Sequence, residues 1–301
     1  MNKLEVSIGL PTRNGEKSIK KSVESLLSQS FKDFELIISD NASLDHTEKI
    51  CKRFAKRDKR IIYIRQKRNI GPDKNFMFVL KKAKGKYFMW AADDDWWDPN
   101  FISRLKKSLD QHLKYGVAMS SCVRIYENGE IRDKIKFSSK NSLTKLSHFK
   151  LFTKMIRGDP IHIFIYGLFR SNLLKKMTKR PFPKCMAADR VFMCQTALTA
   201  RFYSLSDFLY FRRVYKRPVT ERHTNSIGNE WANPRANAKY IMTLLKYLIT
   251  SDTIPVYRKF WIIPIWLLLI WKHRNLLVYE LFPKYNQFRK KIDVLIHKAV
   301  G

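Results

Sequence analysis

Three consecutive carboxylates are the clearest chemical feature of the sequence. Asp93, Asp94 and Asp95 stand in the stretch AADDDWWDPNFI, directly after an apolar run and directly before two tryptophans. Adjacent carboxylates repel one another, and a divalent cation such as Mg²⁺ or Mn²⁺ neutralises them because it prefers oxygen ligands. Mg²⁺ typically combines one or two carboxylates with substrate phosphates. The cluster therefore indicates either a metal that bridges protein and diphosphate, or a solvated acidic turn, since Asp is common in turns.

The rest of the chain is strongly basic. Its 301 residues include 59 Lys and Arg against 26 Asp and Glu, which gives a formal net charge of +33. Such a surface attracts polyanions, which include nucleic acid, anionic lipid and phosphorylated substrates. A lysine-rich composition that reflects codon usage and solubility is the alternative. The charge does not choose among these partners, because it governs association rather than fold.

The composition predicts a folded protein in a reducing compartment. Hydrophobic residues make up 45% of the chain, which is enough for a core, and the length fits one large domain or two small ones. The four cysteines, at 51, 122, 185 and 194, have no metal-ligand spacing and are typical of buried thiols. The N-terminus MNKLEVSIGL has no apolar signal-peptide core, so we expect the bulk of the chain to stay in the cytosol.

Strands and helices alternate over the first ninety residues. EVSIGL, FELIISD, RIIYIRQ and KYFMWAA are apolar runs bounded by turn residues, which is typical of buried strands. The spacing of apolar residues between them predicts helices over about 16–30, from Thr47 onward, and over 73–82. This alternation predicts an α/β fold with a mostly parallel sheet flanked by helices.

Polar residues follow the strands of this predicted sheet. Thr12, Arg13 and Asn14 follow the first strand, Asp40 and Asn41 follow the second, and the aspartate triplet follows the fourth. Ligands of parallel sheets bind beyond the carboxyl ends of the strands, so these residues are placed to contact one. No GxGxxG follows the first strand and no GxxxxGK[ST] occurs, which argues against a dinucleotide oxidoreductase and a P-loop protein.

The second half of the chain has a mixed pattern. Asn128-Gly129 lies between two alternating runs and predicts a β-hairpin. The apolar run IHIFIYGLFR, residues 161–170, predicts another strand, and MAADRVFMCQTALTA predicts a helix. RFYSLSDFLYFRRV predicts one or two further strands, and from about residue 226 the pattern is helical.

Four short motifs occur in a fixed order. They are Pro-Thr-x-Asn at 11–14, Asp-Asn-x-Ser-x-Asp at 40–45, Arg-Asn-x-Gly at 68–71 and Asp-Asp-x-x-x-x-Pro at 93–99. Through them the chain resembles the family 2 glycosyltransferases of the GT-A fold, closely over residues 4 to about 110 and more loosely to about 215. The resemblance implies an inverting enzyme that uses a nucleotide-diphosphate sugar, with a UDP-sugar expected first, and Mn²⁺ or Mg²⁺ as cofactor.

The resemblance also implies roles for individual residues. The nucleotide-sugar site would comprise Pro11, Thr12, Asn14, Asp40, Asn41, Arg68 and Asp93. In this set Asp40 would accept a hydrogen bond from the base, and Asp93 would face the ribose. Asp94 would be the principal metal ligand, with Asp95 supporting it. Ala92 stands where the family often has an Asp, so the division of roles within the triplet stays open.

The family resemblance places a general base in the second half. Asp189, in MAADRVF, matches the carboxylate that would remove the proton of the acceptor hydroxyl, although Ala188 replaces the Glu that commonly precedes it. A helix-start carboxylate favoured by the helix dipole is the alternative interpretation.

Other polar and aromatic residues have two interpretations each. His223 would lie in a loop near the diphosphate or be a structural histidine, and Arg212 and Arg213 would steady the leaving diphosphate or end a strand. Trp96 and Trp97 would stack on a sugar ring, or one of them would pack in the core.

The C-terminal region contains an uninterrupted apolar run. FWIIPIWLLLIW, residues 260–271, is too short to span a bilayer, which takes about twenty residues, and basic residues flank it on both sides. Tryptophans with basic flanks are typical of a membrane-surface anchor, and a core or dimer helix is the alternative. In the anchor, we expect the membrane to bury the following side chains: Trp261, Ile262, Ile263, Trp266 and Leu267.

Together these patterns predict three regions and one activity. Residues 1–115 would form the nucleotide-sugar-binding half, 116–225 the acceptor-binding half and 226–301 a helical anchor. The family resemblance implies that the enzyme acts at the inner face of the cell membrane on a hydroxyl of a lipid-linked (polyprenyl) or cell-surface glycan acceptor. We expect no specific nucleic acid partner, and a homodimer is an open possibility. The alternative function is an inactive basic protein of the same fold that binds membrane or nucleic acid.

Overall fold

A computed structural model of the protein describes residues 4–137, 142–185, 187–216 and 235–281, with the backbone alone at residues 275, 278 and 279. The strands are β1 (Val6–Thr12), β2 (Phe34–Asp40), β3 (Ile61–Arg65), β4 (Tyr87–Trp90), β5 (Trp96–Trp97), β6 (Tyr115–Tyr126), β7 (Ile131–Ile135), β8 (Leu168–Arg170) and β9 (Arg201–Val214). The helices are α1 (Ile19–Leu27), α2 (Thr47–Arg57), α3 (Pro72–Lys82), α4 (Phe101–Gln111), α5 (His148–Arg157), a 3₁₀ helix (Pro160–Tyr166), α6 (Ser171–Met177), α7 (Ala188–Thr199), α8 (Ala236–Ile249), α9 (Val256–Lys259), α10 (Ile262–Lys272) and α11 (Arg274–Leu281). The predicted α/β class is confirmed.

The first four strands form a parallel sheet in the order β3-β2-β1-β4. Their burial explains the apolar runs, since every residue of β2 and β4 is buried, as is all of β1 except the half-buried Pro11. Thr12 pairs with Asp40, and Gly9 pairs with Trp90. The polar residues that follow these strands are therefore delivered to one edge of the sheet.

The same sheet continues into the second half of the chain. After β4 the order is β8-β6-β9-β5, with β8 antiparallel to both β4 and β6, and β9 parallel to β6. β5 pairs antiparallel with β9, so that Trp96 lies opposite Phe211. Because β5 follows the aspartate triplet directly, this pairing brings the end of β9 against the triplet.

Several element predictions can be compared with the structure. Helix α2 begins at Thr47 as predicted, and the hairpin joins β6 to β7 with Gly129 in the left-handed conformation (φ 90°). The long predicted strand over 161–170 is wrong: Pro160–Tyr166 is a 3₁₀ helix, and only Leu168–Arg170 forms a strand. Pro160 suits a first helical turn because its ring sets φ and it has no N–H to donate. A run that is apolar on every side does not distinguish a buried helix from a buried strand.

Trp90 packs at the point where the two halves of the sheet meet. Its fully buried ring stacks on Phe76 of α3, with centroids 4.5 Å apart, and meets the edges of Phe88, Phe169 and Phe192. The indole N–H donates to the carbonyl of Phe76 at 2.9 Å. Trp90 thus connects α3, β4, β8 and α7, three residues before the triplet.

The C-terminal helices pack on the second half. Helix α8 contacts α7, α10 and α11, and Glu280 of α11 accepts hydrogen bonds from the backbone of Asn237 and Ala238 at the start of α8. No helix in the described part of the chain is both long and apolar enough to span a membrane.

The sheet runs unbroken across residue 115, and the division into regions 1–115, 116–225 and 226–301 stays a prediction.

The structure corrects the set of side chains expected in a membrane. Ile262 is 1% exposed because it packs inside the protein, and Trp266 is half-buried with its indole N–H bonded to the carbonyl of Ile241. Trp261 is half-buried and meets the ring of Phe149. Ile263 and Leu267 are the members of that set with large exposure.

Replacement of Trp90 tests whether this ring supports the junction. We expect Trp90→Ala to lower the free energy of unfolding by about 3–5 kcal/mol, as for other buried large-to-small changes. Trp90→Phe, which keeps a ring but loses the indole hydrogen bond, should fall between this variant and the wild type. Urea unfolding gives the values, with Trp271→Ala as the control, because Trp271 is 66% exposed and should change stability by less than about 0.5 kcal/mol. Equal losses for Trp90→Ala and Trp271→Ala would contradict the role of Trp90.

Candidate functional site

A cleft of about 610 Å³ opens at the carboxyl ends of β1 and β4. Its size is that of a small-molecule site. One wall comes from the first half of the chain and the other from the 3₁₀ helix and strands β6 and β9. The lining residues include Pro11, Thr12, Asn41, Phe76, Asp93, Asp94, Asp95, Arg124, Arg132, His162, Tyr166, Arg212, Arg213 and Tyr215.

Asp95 is the buried member of the triplet and is 2% exposed. Its Oδ2 accepts a hydrogen bond from the hydroxyl of Tyr210, and its Oδ1 accepts one from the backbone N–H of Arg213 at 2.8 Å. Its backbone carbonyl accepts from the hydroxyl of Ser22 in α1 at 2.6 Å. Asp95 therefore attaches the triplet to strand β9 and to helix α1.

Asp93 and Asp94 are partly buried and face the cleft. The Thr12 hydroxyl, at the end of β1, donates to Oδ2 of Asp93 at 2.5 Å. The hydroxyl of Tyr215 donates to Oδ2 of Asp94 at 2.8 Å, and no other described residue donates to this carboxylate. The three carboxylates thus have three different partners, and Asp94 keeps the most capacity for a ligand.

Burial and mutual repulsion shift the protonation of the triplet. Removal of water raises the pKa of Asp93 to about 7, and the charge of Asp94 adds to the shift. The same two causes, in the same order, raise the pKa of Asp95 to about 7, against the opposing charge of Arg212. Two of the three carboxylates are therefore poorly stabilised as anions by the protein alone.

Besides Asp93, the wall from the first half contains three of the residues predicted for the nucleotide sugar. Pro11 and Thr12 end β1, and Asn41 follows β2. The side-chain carbonyl of Asn41 accepts from the backbone N–H of Ile70 at 2.8 Å, which holds the 69–71 turn beside the cleft. Phe76 of α3 supplies an apolar surface next to them.

Asp40, Asn14 and Arg68 do not line this cleft. Asp40 is fully buried and accepts from the backbone N–H of Ser43 and the hydroxyl of Tyr63, each at 2.8 Å. Asn14 is exposed with a φ of 56°, and its side chain accepts from the backbone N–H of residue 44 at 2.9 Å. Arg68 is exposed on the turn after β3. The contacts of Asp40 and Asn14 shape the loop after β2.

The opposite wall carries a buried polar cluster around His162. The Nε2 atom of His162 accepts a long hydrogen bond from Arg212 at 3.5 Å, and its buried Nδ1 has no partner among the described residues. Burial lowers the pKa of His162 to about 4, the charge of Asp189 opposes this, and the charge of Arg212 adds to it. His162 is therefore neutral at physiological pH.

Asp189 lies in the first turn of α7. This position fits both the general base and the alternative interpretation, in which the helix dipole favours a carboxylate at the start of a helix. Its Oδ1 accepts from the backbone N–H of Arg190 at 2.8 Å. Asp189 does not line the cleft itself, but it is close enough to His162 and Arg212 to influence the pKa of each. His162, unlike Asp189, lines the cleft.

Sequence reasoning missed the aromatic residues that hold the triplet. Tyr210 and Tyr215 lie on or just after β9, and their only signal was proximity to Arg212 and Arg213, which both line the cleft. His162 was hidden in a run interpreted as a strand. His223, which had been singled out, lies outside the described residues.

The two tryptophans after the triplet have separate environments. Trp97 is 2% exposed, which confirms that one of the pair packs in the core. Trp96 stacks on Phe211, and the ammonium of Lys21 lies 3.3 Å from its ring centroid. Trp96 is not part of the cleft lining, so the structure does not bring it to a sugar.

A cation in this cleft would need coordinating atoms from a bound substrate or water in addition to those from the protein. Among the described residues, no three His, Cys, Asp or Glu side chains converge as a metal site made by protein alone. Asp94 does line the cleft between the two walls. One carboxylate with substrate phosphates and water is a usual arrangement for Mg²⁺.

Sequence comparison finds glycosyltransferases. A model of the family described as "Glycosyl transferase family 2" matches residues 7–178. An uncharacterized glycosyltransferase of Methanocaldococcus jannaschii, MJ1057, is 26% identical over 247 residues, which cover 78% of this chain and 82% of that protein. The GalNAc(5)-diNAcBac-PP-undecaprenol beta-1,3-glucosyltransferase of Campylobacter jejuni is 26% identical over 174 residues, which cover 57% of this chain and 53% of that protein.

Solved structures of glycosyltransferases share the fold. The S. aureus TarS 1-349 structure in complex with UDP-GlcNAc has a TM-score of 0.66 at 21% identity, over 92% of this chain and 76% of that one. The mannosyltransferase PcManGT from Pyrobaculum calidifontis, in complex with GDP-Man and Mn²⁺, has a TM-score of 0.56 at 15% identity, over 90% of this chain and 75% of that one. The predicted GT-A fold is confirmed. Because the family model matches more than half of the chain, the protein belongs to glycosyl transferase family 2 and is a glycosyltransferase.

Proposed function

We propose that the enzyme transfers a sugar, with inversion, from a nucleotide-diphosphate sugar to a hydroxyl of a lipid-linked or cell-surface glycan. The observation that carries the proposal is the cleft at the ends of β1 and β4, in which three carboxylates, one buried and two partly buried, face an arginine-rich wall. A UDP-sugar is the first candidate donor, which is supported by the UDP-GlcNAc bound to TarS. A module that only binds membrane or nucleic acid has no need of such a triplet.

The first-half wall would bind the nucleotide. Pro11, Thr12 and Asn41 line the cleft there, and Asp93, held by Thr12, is placed to accept from a ribose hydroxyl. For Asp40 and Asn14, the contacts favour a supporting role, in which they shape the loop after β2. The role of the exposed Arg68 near the base or the phosphates stays a prediction.

Asp94 is the residue that would hold the divalent cation, Mn²⁺ or Mg²⁺. It faces the cleft, and one described donor, Tyr215, contacts its carboxylate. When bound, the cation supplies positive charge to the leaving diphosphate. Asp95 was predicted as a supporting ligand, and its two protein donors favour a positioning role instead. Arg212 and Arg213 line the same cleft and would stabilise charge on the diphosphate.

Asp189 is the proposed general base. In an inverting transfer, the acceptor oxygen bonds to the anomeric carbon as the bond to the diphosphate breaks, and the acceptor proton goes to the base. The charge of Asp189 acts on His162, so the acceptor hydroxyl would approach on the side of the cleft where the 3₁₀ helix and α7 lie. An α-linked donor would give a β-linked product.

The acceptor and the cellular location belong to the same proposal. The Campylobacter jejuni relative acts, by its name, on an undecaprenol diphosphate-linked glycan, which supports a polyprenyl-linked acceptor here. The basic chain would associate peripherally with the inner face of the cell membrane, where anionic headgroups attract it. No feature of the cleft requires a homodimer, and we expect no specific nucleic acid partner.

Replacement of Asp94 tests the metal and the donor together. For the wild type, we expect UDP with Mn²⁺ to raise the melting temperature more than UDP with EDTA, and more than GDP with Mn²⁺. Binding at about one hundred times Kd adds about 2.7 kcal/mol of stability. Asp94→Asn should lose the Mn²⁺-dependent part of the shift and should lose turnover. Asp98→Asn, just outside the cleft, is the control and should behave as wild type. If Asp94→Asn keeps the full Mn²⁺-dependent rise in melting temperature, the assignment of the cation to Asp94 is wrong.

The pH dependence of stability tests the electrostatics of the triplet. An unfolded Asp has a pKa of about 3.9. Since folding raises the pKa of Asp93 and Asp95 to about 7, their contribution to stability is full below about pH 4 and is lost as the pH rises through 7. Asp94→Asn removes one cause of both shifts. In EDTA, its melting temperature relative to wild type should therefore increase from pH 5 to pH 8, and that of Asp98→Asn should not. A difference that stays constant with pH would refute this account.

Replacement of Asp189 tests whether this residue acts as the general base or has a structural role. We expect Asp189→Asn to bind UDP and Mn²⁺ as wild type does, while transfer falls on the order of 10²-fold or more, because a general base contributes that factor. Asp207→Asn, which removes a surface carboxylate paired with Arg104, is the matched control. Loss of UDP binding together with activity would indicate a structural role.

The anomeric coupling constant of the wild-type product should show inversion, and a retained anomer would exclude the mechanism.

A further inference from the structure

Helix α10 has two faces with different surroundings. Ile262, Ile265 and Leu269 are at most 6% exposed and form the stripe that packs inside the protein. The indole N–H of Trp266 donates to the carbonyl of Ile241, which fixes the rotation of α10 relative to α8. The protein itself therefore decides which side of α10 is turned outward.

The outward side of α10 is apolar from Ile263 to Trp271. We call Phe260, Ile263, Leu267, Leu268 and Trp271 the outer face; their exposures are 73%, 51%, 54%, 64% and 66%. A surface helix ordinarily places polar residues on its solvent side. A contiguous exposed apolar patch of this kind marks an interaction surface.

Positive charges frame the outer face at both ends. Lys259 precedes it and Lys272 and Arg274 follow it, while no Asp or Glu occurs between residues 253 and 279. Arg258 also precedes it, but this residue is half-buried and its guanidinium donates to the carbonyl of Leu198 at 2.8 Å. Lys272 and Arg274 are exposed. The preceding helix α9 has two more exposed apolar side chains, Val256 and Tyr257.

The dimensions of α10 exclude one mode of membrane contact. Its 11 residues extend about 16 Å at 1.5 Å per residue, against about 30 Å for the hydrocarbon core of a bilayer. The buried stripe also ties it to α8 along its length. A helix of this kind lies in the plane of the interface with its apolar side in the lipid.

We propose that the outer face of α10 docks on a bilayer surface that contains anionic lipids. The cations beside the outer face favour an anionic bilayer over a second copy of the chain as the partner. A symmetric contact through the same face would bring like charges together. The inference deepens the proposed function, since it names the surface that would hold the cleft near a lipid-linked acceptor. It does not depend on glycosyl transfer.

Vesicle sedimentation of the full-length chain tests the proposal. We expect the wild type to pellet with phosphatidylcholine vesicles that contain 30% phosphatidylglycerol, and less with phosphatidylcholine alone. In 0.5 M NaCl part of the binding should remain, because salt screens the cations but not apolar burial, and detergent should release the rest. Ile263→Glu/Leu267→Glu should bind at least about tenfold more weakly, given the value of burying such side chains.

Matched variants separate this proposal from others. Leu44→Glu/Leu113→Glu replaces two leucines that are 85% and 80% exposed elsewhere, and it should bind vesicles as wild type does. The inactive Asp189→Asn should also bind as wild type, so a failed catalytic assignment would leave this result intact. Retained UDP–Mn²⁺ thermal shifts would show that Ile263→Glu/Leu267→Glu is folded. The proposal is overturned if wild type fails to pellet, or if this double variant binds equally well. A wild-type dimer that dissociates in the double variant, without vesicle binding, would assign the outer face to a second copy.

Discussion

The buried carboxylate of Asp95 is the contact on which the rest of the site depends. It accepts from Tyr210 and from the backbone of Arg213, and so binds the loop after β4 to strand β9. The two-residue strand β5 pairs with β9 directly beyond it. These bonds give the second half of the chain its position relative to the parallel strands, and the cleft is the space between them. A buried carboxylate with only one donor would be far less stable there.

The same arrangement bears on the proposed binding of a cation by the triplet. Asp95 is buried for structural reasons, Asp93 is bonded to Thr12, and Asp94 stands between them with its charge directed at the cleft. Burial and the charge of Asp94 raise the pKa of the outer two, and a cation with a diphosphate would relieve part of this cost. Arg212 offsets part of it for Asp95 alone. Binding energy and the protonation of the site are therefore coupled.

The chain also divides its excess positive charge between two uses. Arginines on β6 and β9 face the cleft, where a diphosphate would need them, and lysines and arginines frame the outer face of α10. The two locations are connected through α7 and α8, which contact each other and carry Asp189 and the packing surface for α10. This connection would keep the proposed base in a constant relation to the proposed membrane surface.

The parallel half of the fold and the family could be predicted from the sequence, because those signals are local. Apolar runs, turn residues and helical spacing are read within ten or fifteen residues, and they located β1 to β4, the start of α2 at Thr47 and the triplet at the end of β4. The tertiary structure alone decided which carboxylate is buried, that Asp40 is enclosed while His162 reaches the cleft, and which side of α10 faces outward. Each of these depends on contacts between residues far apart in the chain, such as Tyr210 with Asp95 or Trp266 with Ile241, and no local pattern encodes such pairs.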